Sequence, residues 1–359
     1  MKKFLLKNKL LFIILTPISL FLIIAGFVQV EYDITTPAYL TKVESVIEVE
    51  NAYEQQGSFN TTSVFVNERC SLLEYLFAHL NRAAIIEESS QYIDGTSIRN
   101  SQSGLIQKNN SITNAIISSF KAAGKDVSYE YNGIIIHTLA EFAPQNLEVG
   151  DIISAINGIK FNNIDEFNEL YNTLIVSSEF WNVETKQCNL PLTVNGEEII
   201  VTNLAYGKKQ DQSIIPLFGF YYYDSYDIDE DKTEPKYTIN KSNSGGPSGG
   251  LMQALSIYNS LIEYDLTYGL KIAGTGTIDI DGTVGQIGGM YSKIYTAYYL
   301  GADIFFVPGK INDEVKDDNY HEALKAYESL GSPESLKLVF VYTLQDAIDY
   351  LYSLGEQDA

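Results

Sequence analysis

Only two cysteines, Cys70 and Cys188, occur in 359 residues. So sparse a set excludes a disulfide framework. There are three histidines, His79, His137 and His321, and no His-Glu-x-x-His run or Cys/His cluster. No metal or cofactor is therefore expected. No Gly-x-x-x-x-Gly-Lys-[Ser/Thr] run exists, so the chain has no such phosphate cradle and ATP is not expected as a partner. Positive charge is also scarce: 24 Lys and Arg stand against 46 Asp and Glu, a formal net charge of −22. Lys2, Lys3, Lys7 and Lys9 precede the first acid, Glu31, so the remainder is more acidic still. Such a body repels phosphate backbones, which argues against a nucleic-acid partner.

What is present starts with an apolar run. Residues 10–28 carry no charge. As a helix they reach about 28 Å, close to the ~30 Å of a hydrocarbon core. The lysines lie on the N-terminal side, which by the positive-inside rule keeps residues 1–9 in the cytoplasm. The run exceeds the ~7–15 apolar residues of a cleaved signal peptide, and no small-x-small cleavage site follows. The expectation is a single-pass anchor over residues 10–30, cell-membrane localisation and everything beyond it extracytoplasmic.

Length and 45% hydrophobic residues predict two or three folded units behind that anchor. Residues 31–125 hold one strand pattern, Thr61–Val66, and apolar residues at helical spacing from Leu72 to Leu80. Residues 88–110 are rich in Ser, Asn, Gln and Gly and read as a loop. A helix face then runs through Ile112, Ala115, Ile116, Ser119, Phe120 and Ala123, with Gly124 past its end. The region is expected to be a spacer or support. Residues 126–204 begin with a buried strand, Gly133–Ile136, and end in two strands joined by Asn195-Gly196, a two-residue hairpin signal.

Chemistry concentrates in residues 205–359. The pattern predicts a strand over 236–241, a tight segment from Ser244 to Gly250, and a helix from Leu251. Ser248 thus precedes a helix N-terminus, where free N–H groups and the helix dipole suit a developing oxyanion. Alone, a serine there is more often a cap. Forty-five residues on, Gly288-Gly289 opens another helix with Met290, Lys293, Ile294 and Ala297 on one face. Lys293 lies in the apolar stripe. An ammonium there must snorkel, find a partner or lose its proton. A neutral amine could take a serine proton.

These pieces together resemble known families. The order from Gly133 through Ala143-Pro144 and Leu147–Ile153 to Asn157-Gly158 resembles the PDZ domains of bacterial proteases. There, backbone amides of the loop before an exposed edge strand hold a peptide carboxylate, and Asn132, Gly133 and Ile134 match those positions. The run Gly246-Pro247-Ser248-Gly249-Gly250, with Thr275-Gly276, Ile287-Gly288-Gly289, Lys293, Ala297 and the strand Ile304–Pro308, resembles the proteolytic domain of the Lon family. With the anchor, the whole resembles the membrane-anchored PDZ–Lon proteases of Gram-positive bacteria. The resemblance implies an α+β multidomain chain: cytoplasmic tail 1–9, transmembrane anchor 10–30, an N-terminal extracytoplasmic region 31–125, PDZ domain 126–204 and Lon-type protease domain 205–359. It implies an ATP-independent serine endopeptidase with Ser248 as nucleophile, Lys293 as base, and Thr275, Gly246, Pro247 and Gly249 in support. The partner is a peptide or protein substrate. Two positions depart from the family: Gly249 replaces its usual Ala, and Gly245 replaces the acid of cytosolic members.

Two other readings stay open. Gly246–Gly250 also fits a Gly-x-Ser-x-Gly nucleophile elbow, which would pair Ser248 with His321 and Asp303. A non-catalytic, membrane-anchored PDZ adaptor would share the same fold.

Overall fold

The computed structural model describes residues 9–89, 97–208, 214–241 and 245–357. The chain runs α1 (Lys9–Phe27), β1 (Tyr32–Lys42), β2 (Ser58–Asn67), α2 (Leu72–Ala78), β3 (Ile85–Glu88) and α3 (Ser97–Ala122). It continues through β4 (Tyr129–Leu139), β5 (Ile152–Ile156), α4 (Ile164–Leu174), β6 (Gln187–Val194), β7 (Glu197–Thr202) and β8 (Phe220–Ile228). It closes with α5 (Gly250–Leu261), β9 (Lys271–Gly274), α6 (Met290–Tyr299), β10 (Ile304–Pro308), α7 (Asn319–Ser329), β11 (Lys337–Val341) and α8 (Leu344–Gln357). The architecture is α+β.

One sheet has six strands in the order β11-β10-β9-β2-β1-β3. Its first four strands are parallel; β1 and β3 turn antiparallel at the far edge. Both faces of β10 are covered, so the strand reads as an unbroken apolar run, Ile304-Phe305-Phe306-Val307-Pro308. The twofold alternation sends Phe306 to one core with Ile112, Phe120, Leu255 and Ile348. Phe305 goes to the other, with Met290, Ile294 and Ala323. Helices α3, α5 and α8 thus line one face, and α6 and α7 the other.

The second sheet is antiparallel, with β7-β6-β5-β4-β8 as its main path. The hairpin expected at Asn195-Gly196 joins β6 to β7, with Val194 opposite Glu197. Both turn residues have positive φ, 51° and 83°, as a primed hairpin turn requires. Its core gathers Ile134, Ile153, Phe167, Leu190, Leu192 and Phe220.

Three expectations are corrected. The apolar N-terminal run forms α1, with side chains described from Ile13. Among the described residues, no helix is long and apolar enough to cross a membrane. The C-terminal end of α1 is also held by protein: α1 packs on α2, and the Leu72 N–H donates to the Val28 carbonyl at 2.7 Å. The single-pass anchor, the membrane as partner of residues 10–28, and the localisation built on them are overturned on this ground. Residues 97–110, expected as loop, are the first half of α3. Of the spacer or support expected for residues 31–125, the structure shows the support and not the spacer. β2 pairs with β9, Ser58 opposite Lys271 and Thr61 opposite Gly274, so both halves of the chain share one sheet.

Candidate active site

Ser248 sits between the glycine-rich turn and the first residue of α5. The residue in the capping position is Gly249, and no side chain caps the helix. Ser248 is therefore not the cap that its position also allowed. The strand β9 ends at Gly274, and the chain then passes beside the serine. There the Ser248 carbonyl accepts the Gly276 N–H at 3.0 Å and the Thr275 hydroxyl at 2.9 Å. Among the described residues, no backbone carbonyl takes the N–H of Ser248 or Gly249. Both belong to the positive end of α5.

Lys293 comes from the opposite face of the sheet. It lies one turn into α6 on the stripe of Met290, Ile294 and Ala297, all buried. Its own exposure is 3%, which rules out snorkelling. Nζ lies 2.6 Å from Ser248 Oγ and 3.1 Å from Thr275 Oγ1. Among the described residues it forms no ion pair. Burial without a counter-charge pushes its amine down to about 7. The hydrogen-bond directions follow from this. The Thr275 hydroxyl donates to the Ser248 carbonyl, so its oxygen accepts an N–H from the neutral amine. The amine lone pair is then free for the Ser248 O–H.

The turn itself is held by residues that lay in the expected loop and spacer. The Gly246 N–H donates to the Gly104 carbonyl at 2.8 Å, and Ser111 Oγ donates to the Pro247 carbonyl at 2.9 Å. Both partners are on α3. Its backbone comes so close that a Cβ on Gly245 would sit 3.2 Å from Gly104 Cα. A side chain at this position would be driven into α3, which accounts for Gly245. Gly249 has a similar explanation. A Cβ there would stand 3.0 Å from Thr61 Cγ2 of β2, so the methyl of Thr61 fills the space an alanine would use.

The alternative triad is not assembled. His321 Nδ1 lies 2.6 Å from Asp318 Oδ1, and Asp303 accepts the Lys271 N–H at 2.8 Å. Among the described residues neither bonds to Ser248. The two cysteines are free and buried.

The structure places Asn132, Gly133 and Ile134 inside β4 and not in a loop before an edge strand: Gly133 is opposite Ser225 of β8, and Ile134 lies between Asp224 of β8 and Ile153 of β5. The end of the main path beside α4 is β8, preceded by Leu217-Phe218-Gly219. Phe167 and Tyr171 of α4 pack on Tyr222 and Phe220 of β8, with ring centroids at 4.8 and 5.8 Å. The missed signal was Phe218-Gly219-Phe220 at the head of an aromatic-rich run. A comparison with protein-family models and with curated proteins finds no match to the chain.

Proposed function

We propose that this protein is a Lon-type serine peptidase in which Ser248 and Lys293 form the catalytic dyad. The observation that carries the proposal is a lysine 3% exposed, without a carboxylate partner, 2.6 Å from a serine at a helix N-terminus. A structural lysine has little reason to be there, because burying an unpaired cation is costly.

The chemistry proceeds in two halves. Neutral Lys293 accepts the Ser248 proton as Oγ attacks the scissile carbonyl. The oxyanion develops against the N–H groups of Ser248 and Gly249 at the start of α5. As the C–N bond breaks, the Lys293 ammonium returns the proton to the leaving amine, and the acyl group stays on Ser248. Water then attacks that ester as Lys293 takes its proton, and the Ser248 Oγ–acyl bond breaks as Lys293 passes that proton to Oγ, releasing the acid product and restoring Ser248 and the neutral amine. Thr275 holds one amine N–H throughout and keeps the lone pair aimed at the nucleophile. The chain carries no phosphate-binding loop of the Walker type, so we assign no ATP-driven unfolding to it and take its substrates as peptides or extended segments. The end strand β8 supports docking of such a segment by strand addition.

The test is cleavage of a mixed peptide library without ATP, read by mass spectrometry. Wild type, Ser248→Ala, Lys293→Ala and His321→Ala are compared. Cleavage lost in the first two variants and kept in the third is the expected result. Cleavage surviving in Lys293→Ala would remove the dyad. Absence of cleavage by wild type, together with no acyl adduct on Ser248, would favour the adaptor.

A further inference from the structure

Beside the nucleophile turn lies a cavity of about 540 Å³ that the dyad does not use. Pro247, the residue before the nucleophile, forms part of its wall. Four carboxylates line it: Asp165 at the start of α4, Asp224 on β8, and Asp279 and Asp281 on the turn after Thr277-Ile278. Neither Lys nor Arg does. The nearby Lys121 places its ammonium on the Ile280 carbonyl at 3.1 Å and over the Tyr129 ring.

Two further observations say what belongs there. Asn114 of α3 lines the cavity, is 7% exposed, and donates Nδ2 to the Ile278 carbonyl at 3.0 Å. That bond fixes the amide orientation and leaves Oδ1 buried without a partner. Asp224, half-buried, takes the Tyr131 hydroxyl and the Ile164 N–H, yet burial still raises its carboxyl above the usual range, so it lacks a counter-charge. A buried acceptor without a donor, as at Asn114, is rare in folded proteins and calls for a reason. Every side chain here that can carry charge is a carboxyl. The complement is a cation with several N–H donors. A metal ion does not fit: among the described residues, no three His, Cys, Asp or Glu side chains converge to hold one.

We infer that this cavity receives an arginine or lysine side chain of the peptide substrate and so sets which bonds reach Ser248. Arginine fits best, since its planar fork offers five donors to separate acceptors. The placement is apt for a specificity site, because Pro247 couples the wall directly to the nucleophile and β8 supplies both Asp224 and the docking strand. The role deepens the peptidase proposed above and presupposes it for the identity of the ligand as substrate.

The test is read on Ser248→Ala, so it does not depend on turnover. Fluorescein-labelled peptides carry one arginine, walked through an otherwise apolar sequence. Each is paired with the same peptide bearing citrulline, which has the shape of arginine without its charge. At one or more positions the arginine peptide should bind at least about tenfold more tightly, the scale of a hydrogen-bonded charge. The ratio should collapse toward one in Asp279→Asn/Asp281→Asn and persist in Asp279→Glu. Equal binding of both peptides at every position overturns the inference, as does a ratio that survives in the double Asn variant or a failure of either peptide to bind. Phosphonylation of wild-type Ser248 by a fluorophosphonate, with loss of fluoride, is measured in parallel. It reports on the hydrolase alone, so loss of the cationic site and loss of the dyad are told apart.

Discussion

Replacing Lys293 by methionine should make the protein more stable while abolishing its activity. The magnitude follows from the depressed amine. Burial moves it from 10.5 to about 7. That difference of about 3.5 units corresponds to about 5 kcal/mol. Below pH 7 the lysine is charged in both folded and unfolded chains, and the folded state bears the whole penalty. Between about 7 and 10.5 the unfolded chain binds more protons, so wild-type stability rises with pH. Above that range both forms are neutral and the penalty is gone. Methionine has a similar length and no charge to desolvate. It forfeits the bond to Thr275 Oγ1, worth about 1 kcal/mol. The variant should therefore gain roughly 4 kcal/mol at pH 6 and less at each higher pH, with little gain left at pH 10. Urea unfolding followed by circular dichroism at a series of pH values reads this directly. The lone tryptophan, Trp181, lies in the core of the second sheet and would report there instead. A methionine variant that is less stable, or whose gain does not change with pH, would refute the idea that Lys293 is held neutral.

Three other expectations follow from the same geometry. The wild-type rate should fall about tenfold per pH unit below about 7 and level off above it, as protonation of Lys293 removes the base. A rate independent of pH between 5 and 8 would exclude an amine base. Thr275→Val should lower kcat/KM by roughly tenfold to a hundredfold, since it removes the acceptor that orients the amine. Thr275→Ser should keep most activity, and a valine variant at wild-type rate would show that the hydroxyl positions nothing. Gly249→Ala should reduce stability by about 1–3 kcal/mol through the contact with Thr61. Adding Thr61→Ser, which deletes that methyl, should recover most of the loss in a denaturation midpoint; no recovery would place the clash elsewhere.

The dyad was legible because each half breaks a local expectation. Ser248 stands in a run of glycines where a helix begins, and Lys293 occupies a stripe that should be apolar. What holds them was not legible. The first half of α3 was taken for a loop because its residues are Ser, Asn, Gln and Gly, and periodicity counts such residues as solvent-facing. Farther along, Ser111, Asn114, Ser118 and Ser119 are buried. Ser118 and Ser119 turn back onto carbonyls of their own helix, while Ser111 and Asn114 bond to Pro247 and Ile278, more than 130 positions away. The pairing of β2 with β9 has the same character: nothing near Ser58 points to Lys271. The place of β4 in its sheet was hidden for a different reason. β4 is apolar enough to be an edge strand's core neighbour or the edge itself, and only the chain returning as β8 decides between them. Hydropathy likewise counted apolar residues in α1 without seeing α2 close over its end.

These failures share a consequence for the proposed dyad. The nucleophile turn is clasped by Gly104 and Ser111, its neighbour Gly249 is fitted to Thr61, and the central sheet includes β1 and β2. A fragment beginning at residue 205 would keep Ser248 and Lys293 and lose every one of these supports. The dyad is thus a property of both ends of the chain. The second sheet, inserted between them, is placed where β8 and α4 can build one wall of the cavity beside Pro247. On the proposed reading, substrate selection and nucleophile positioning then act on the same turn from opposite sides.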